Sequence, residues 1–292
     1  MFHRCRGRFL ELLAEAGVRP GDVDIVVNTH LQVDHVGWNI REREGRWVSA
    51  FPDVVCHLPV DGLAFLDPVA AHPARTGGGV DPAVWAQWDR VFADSVAPVL
   101  AAGQAAPWGG TRVVGAGLVL EQAPGHTPGS CVLRLESAGG SAVFVGDLLH
   151  SPVQLAHPVC GSCFCLDPAR AAASRRRILQ RAAERGELVV PAYFAGPGAA
   201  RVERSGAAFV PRWARWAQDS GVPAVPPTRR APRPCGWLIV GGGRGMAAGC
   251  LPFPPVTVFV APQRGSRPPA WHDCPPVVRM IRGVVSPCRR HR

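Results

Sequence analysis

The stretch Thr29-His30-Leu31-Gln32-Val33-Asp34-His35-Val36-Gly37 constrains this chain more than any other. It follows the apolar run Asp24-Ile25-Val26-Val27-Asn28, which reads as a strand over 24–28. A continuously apolar strand is covered on both faces, and the loop at its tip is free for chemistry, which is the logic of an α/β fold. Two imidazoles and a carboxylate on that loop give a divalent metal several ligands from one rigid turn. His30, Asp34 and His35 are therefore candidate metal ligands.

The neighbouring pattern agrees with an α/β chain. Phe9, Leu10, Leu12, Leu13, Ala14 and Ala16 form an apolar helical face, closed by Gly17 and Pro20. Residues 47–56 run apolar in strand fashion, and 61–82 read as loop because Pro68, Pro73, Gly77 to Gly79 and Pro82 break any period. Val84, Trp85, Trp88, Val91, Phe92, Val96 and Leu100 fall near a 3.6-residue period. They predict a helix over 83–101 whose tryptophans belong to the core. Strands are expected over 112–121, 131–135, 141–145 and 187–192, and a helix over 170–183 with arginines spread around it.

Two more polar groups stand at predicted strand ends. His126 lies in the turn Gly125-His126-Thr127-Pro128-Gly129, and Asp147 follows the strand over 141–145. Metal-assisted hydrolysis needs ligands from separate strand tips converging on one or two ions, with room for water and a group to handle protons. Each histidine alone is weak as a signal; the ordered set is strong.

That set resembles the H-x-H-x-D-H signature of the metallo-β-lactamase superfamily, with Gln32 where the second histidine would stand. The resemblance covers about 9–212. It extends to Val36-Gly37-Trp38-Asn39, Gly146-Asp147-Leu148-Leu149-His150-Ser151-Pro152-Val153-Gln154 and Pro191-Ala192-Tyr193-Phe194-Ala195-Gly196-Pro197. These are similar to a hydrolase branch that includes N-acyl-homoserine lactonases and methyl-parathion-hydrolase-like enzymes. It implies a metallo-β-lactamase αββα sandwich over 1–216, here lacking the first N-terminal strands because the helix begins almost at Met1.

The resemblance also implies a site. One ion would be held at the positions of His30, Gln32 and His126, a second at those of Asp34, His35 and Tyr193, with Asp147 bridging. The cofactor is expected to be a divalent metal, zinc first, as one or two ions. Its hydroxide would open a lactone or related ester, Asp34 would pass a proton to the leaving group, and His150 stands where the lactonases place a substrate-contacting tyrosine. Gln32 and Tyr193 are poorer donors than imidazole and impair the activity. The alternative is a catalytically inactive or vestigial member of the same fold.

Composition bears on partners. The formal charge of +10 suggests nucleic acid until it is located along the chain. Residues 1–222 hold 21 Arg against 21 Asp plus Glu, and residues 223–292 hold 11 Arg against Asp273 alone, so the excess sits in the tail. That tail, taken as a separate segment over 217–292, contains 14 of the 30 prolines and no sustained period. It is expected to be disordered, and no nucleic-acid partner is expected. Cys160, Cys163 and Cys165 lack a matching second pair and read as packing or loop thiols. Glu11 and Glu15 interrupt any signal-peptide core, and no apolar run is long enough to span a bilayer. A cytoplasmic protein with no membrane partner and a small-molecule substrate is expected.

Overall fold

The computed structural model describes residues 8–70, 72–76, 81–137, 140–195, 198–214, 237–241 and 257–261. Helix α1 (Phe9–Glu15) leads into β1 (Ile25–Asn28). Then come the hairpin β2 (Ile40–Arg43) and β3 (Arg46–Ser49), strand β4 (Val55–Pro59), and helices α2 (Val60–Leu66), α3 (Pro73–Thr76) and α4 (Pro82–Val91). A π-helical turn, Phe92–Val96, joins α4 to α5 (Ala97–Ala101). Strands β5 (Ala105–Trp108), β6 (Thr111–Gly115), β7 (Leu118–Gln122), β8 (Cys131–Ser137) and β9 (Gly140–Gly146) follow. After α6 (Val153–Ala156) and α7 (Pro168–Arg185) the chain forms β10 (Leu188–Pro191), β11 (Ala200–Ser205) and β12 (Ala208–Trp213). Two further strands are β13 (Trp237–Gly241) and β14 (Thr257–Ala261).

The strands form two main sheets, ordered β13-β14-β1-β4-β5 and β12-β11-β10-β9-β8-β7-β6. Successive side chains on a strand point to opposite faces, so the buried clusters reveal the layers. On β1, Val26 joins Leu13, Val18, Cys56 and Val99, whereas Val27 joins Trp108, Leu133, Phe144 and Val190. On β9, Phe144 belongs to that same middle cluster, while Val143 and Val145 pack with Ile178, Leu179 and Ala182 of α7. One core thus lies between the sheets and one on each outer face under helices, which is an αββα sandwich.

Local chemistry explains the elements. The N-cap carboxylate of Asp167 accepts a hydrogen bond from Arg170 N, Pro168 takes the first turn, and Gly186 closes α7 in the left-handed region. Burying Ile178 and Leu179 fully contributes about 1.5–3 kcal/mol each. Under the same helix, the buried Arg134 guanidinium pairs with Glu187 and, at 2.9 Å, with Glu121. The two partners matter because a buried charge without one is costly.

Several expected boundaries shift. The breaker-rich span 61–82 contains α2 and α3, because Phe65 and Leu66 are buried against the aromatic rings of α4. The single helix over 83–101 is interrupted by the π-helical turn just ahead of Pro98, which has no N–H to donate. Trp85 and Trp88 pack edge to face at 4.8 Å and against Phe65 but are only half-buried, with Trp88 at the margin of the core, and Leu100 is exposed. Expected strand 112–121 is a hairpin turning at Gly117, and β11–β12 has no counterpart in the sequence reading. The first N-terminal strands concern residues outside the described ones. So does most of the expected low-order tail; within it, β14 pairs antiparallel with β1 and β13 with β14.

Candidate metal centre

The loop after β1 is held by amides and backbone. Asn28 Nδ2 donates to His35 O at 3.0 Å, Asn39 Nδ2 donates to Asn28 Oδ1 at 3.0 Å, and His35 N donates to Gln32 O at 2.9 Å. Cys131 N donates to Thr29 O at 2.8 Å, fastening the loop to the second sheet. These bonds bury His30 and His35 and leave Gln32 and Asp34 half-buried.

The second sheet supplies the opposing groups. Asp147 follows β9 at Gly146, whose backbone has φ +48° and whose Cβ, if present, would lie 2.5 Å from Thr29 Oγ1. Only glycine permits that approach of the two loops. The turn bearing His126 is clasped from behind: Leu166 N donates to His126 O at 3.0 Å, Asp167 N to Gly125 O at 2.9 Å, and Ser174 Oγ to Pro124 O at 2.7 Å. The buried Arg175 donates to Leu148 O, Pro158 O and Cys160 O, tying the segment after Asp147 to the 158–160 loop.

His30, His126 and Asp147, all buried, each offer a ligand atom within 4.8 Å of the others. His126 Nε2 lies 3.3 Å and His30 Nε2 3.8 Å from Asp147 Oδ2. Gln32 Oε1 sits 2.8 Å from His126 Nε2 and 3.2 Å from His30 Nε2, which puts a neutral oxygen donor at the same focus. The outer ring nitrogens also have neighbours: Thr29 Oγ1 lies 3.3 Å from His30 Nδ1 and Cys165 Sγ lies 3.8 Å from His126 Nδ1. An acceptor at Nδ1 stabilises the tautomer whose Nε2 lone pair is free for a metal.

The other candidates gather next to this group. His35 Nε2 is 3.0 Å from Asp147 Oδ1 and 3.6 Å from Asp34 Oδ2. Tyr193, just after β10, donates its O–H to Asp34 Oδ2 at 2.7 Å, and its oxygen lies 3.2 Å from His35 Nε2. His150 stacks parallel on the Tyr193 ring, centroids 5.6 Å apart, with Nε2 3.3 Å from Asp147 Oδ2. The seven candidate metal ligands and His150 therefore lie in two adjoining groups that meet at Asp147, and among the described residues only His30, His126 and Asp147 form a metal-sized cluster.

Electrostatics divide the groups. Burial lowers His126 to about 4, and burial followed by the nearby His35 holds His30 well below the ordinary imidazole range. Both are neutral near pH 7, as metal ligation requires. Burial alone would raise Asp147, but His35 and His30, with His150 Nε2 3.3 Å away, hold it well below the usual carboxylate range. His35 is likewise depressed by burial, yet the Asp147 and Asp34 charges leave it raised. Burial, then the Asp147 and Asp34 charges, push the Tyr193 phenol upward, so it is a neutral donor.

The donor set of His30, His126 and Asp147 fits a divalent ion: two neutral imidazoles and one carboxylate, with the Gln32 oxygen as a weaker fourth. The Asp34, His35 and Tyr193 set does not fit one equally, since a neutral phenol is a poor ligand. Sequence reasoning missed Arg175 and Cys165 as supports. The arginines are spread around α7, so nothing in the sequence singles out Arg175, and packing or loop thiols is as far as the spacing of Cys160, Cys163 and Cys165 reaches.

The sequence profile of the metallo-beta-lactamase superfamily matches residues 4–193, and the chain belongs to that superfamily. At that level it is placed among metal-dependent hydrolases. Among solved structures it is similar to the hydrolase AbOPH of the beta lactamase superfamily, with 25% identity, TM-score 0.59, and 72% of this chain and 71% of the other covered. It shares its fold with AidC, a dizinc quorum-quenching lactonase, at 21% identity and TM-score 0.57, covering 73% and 71%. A probable metal-dependent hydrolase from Staphylococcus aureus also shares the fold, at 16% identity and TM-score 0.55, covering 73% and 70%. No curated protein matches the chain. No described helix is long and apolar enough to cross a membrane.

Proposed function

We propose that this protein is a hydrolase of a lactone or related ester that works with a divalent ion, zinc first, held by His30, His126 and Asp147. The observation that carries the reading is the meeting of three buried ligand atoms from three different strand tips within 4.8 Å. AidC, whose fold this chain shares, is a lactonase, which supports a carbonyl substrate of that class.

When bound, such an ion supplies Lewis acidity toward a carbonyl oxygen and acidifies water. The chain's own residues do the remaining work. Asp147 stays anionic in a dry setting and balances the cation, while His30 and His126 stay neutral with Nε2 facing inward. Asp34, with 21% of its side chain exposed, stands at the mouth of the site and can carry a proton to a leaving alkoxide. His150, stacked on Tyr193, would donate a hydrogen bond to substrate oxygen once its ring turns, since both ring nitrogens are buried here. Gln32 and Tyr193 weaken the donor set, so activity is expected to be low.

The test is zinc loading of the metal-free chain followed by metal analysis and assays on lactones and aryl esters. Fewer than about 0.1 ion per chain together with no turnover would refute the reading. A catalytically inactive protein of the same fold is the second reading, favoured because Gln32 and Tyr193 already hydrogen-bond the histidines. It requires that the double substitution Gln32→His and Tyr193→His create activity absent from the parent.

A further inference from the structure

We propose that the chain holds one ion and not two, because Tyr193 has replaced the second ion with a hydrogen-bonded triad made of Asp34, His35 and its own hydroxyl. This rests on the reading of His30, His126 and Asp147 as the ion's ligands. The resemblance to dinuclear hydrolases assigns Asp34, His35 and the Tyr193 position to the second ion, and these three side chains satisfy one another. The phenol donates to Asp34 Oδ2 at 2.7 Å. His35 Nε2 faces three oxygens: Asp147 Oδ1 at 3.0 Å, the phenol at 3.2 Å and Asp34 Oδ2 at 3.6 Å. The phenol hydrogen is thus already committed to Asp34, and the phenol oxygen stands where His35 Nε2 would have to meet a second ion.

The neighbouring group differs in what closes it: the oxygen lying against His30 and His126 Nε2 is the Gln32 amide oxygen, which has no proton to give up. For a second ion, the phenol O–H, hydrogen-bonded to Asp34, would also have to be given up. Nor can the phenol simply swing aside. Its ring is stacked on His150 at an interplanar angle of 5°, and it packs against the core between the two sheets. The triad therefore does the structural work of an ion, bridging the β1 loop and the end of β10, without supplying its charge.

The experiment counts ions. The metal-free full-length chain is saturated with zinc, freed of loose metal by gel filtration and analysed for metal beside Tyr193→His and Tyr193→Phe. About one ion in the parent and in Tyr193→Phe, rising to about two in Tyr193→His, is the expected result. Two ions in the parent would overturn the proposal, as would a folded Tyr193→His variant that gains none. A parent that binds nothing refutes the ligand role of His30, His126 and Asp147 instead; the triad is then judged by whether Tyr193→His gains an ion. A second readout uses the fact that Tyr193 is the only tyrosine in the chain. Copper(II) loading should give no phenolate-to-metal charge-transfer band, and such a band would identify Tyr193 as a ligand and overturn the triad.

Discussion

Cys165 Sγ lies 3.8 Å from His126 Nδ1, while the other ring nitrogen of His126 faces Gln32 and Asp147. The thiol backs a candidate ligand from the side away from the metal position. Metal sites built on histidine depend on such supports, and losing one typically costs 10–100-fold in affinity. Replacing Cys165 with Ala is expected to weaken zinc binding by about 10-fold in a chelator competition, while Cys165→Ser recovers part of the loss. Equal affinity in all three proteins would assign the thiol to packing alone.

Gly146 joins β9 to Asp147 at φ +48°, with Thr29 against the place a Cβ would fill. A side chain there is strained twice, by the backbone and by the contact. Gly146→Ala is expected to lower unfolding stability by about 2–4 kcal/mol, read from urea transitions of the metal-free protein. A companion Thr29→Ser change should recover little, because Oγ1 is the nearest atom. A loss below about 0.5 kcal/mol would show that the two loops separate easily.

The buried His57, on β4, gives a pH signature independent of the metal centre. Burial, then the Arg112 charge, lowers it to about 4. The folded chain keeps it neutral where the unfolded chain, near 6.5, binds a proton. Its contribution to stability is therefore full above about pH 6.5 and falls as the pH drops toward about 4, by on the order of 2 kcal/mol. In the metal-free protein, His57→Gln should flatten the stability profile between those limits. A variant whose profile parallels the parent throughout would contradict the assignment.

The candidate ligands were readable in the sequence because each sits at a strand tip. Ile25 to Asn28 announces a covered strand, and His30, Asp34 and His35 follow at once. His126 and Asp147 are marked by flanking glycines that the loops need for close approach. Helix α2 was hidden because its apolar residues Val60, Leu63, Phe65 and Leu66 run into the breakers of 67–82, and Phe65 packs against the distant Trp85 and Trp88. The β11–β12 hairpin was hidden because its buried apolar residues, Ala200, Val202 and Phe209, are few and most of the remaining positions are exposed. Cys165 and Arg175 act through a thiol contact and backbone carbonyls, which no spacing rule encodes. The mutual closure of Asp34, His35 and Tyr193 depends on residues far apart in sequence meeting at one point.

Whether His30, His126 and Asp147 hold a metal ion is decided by anomalous scattering at the zinc edge from crystals of the zinc-loaded chain. The proposed ligand set requires a single strong peak bounded by His30 Nε2, His126 Nε2 and the Asp147 carboxylate, lost in Asp147→Ala. A peak at Cys160 and Cys163 with none beside His126, or no peak at any protein site, would contradict it.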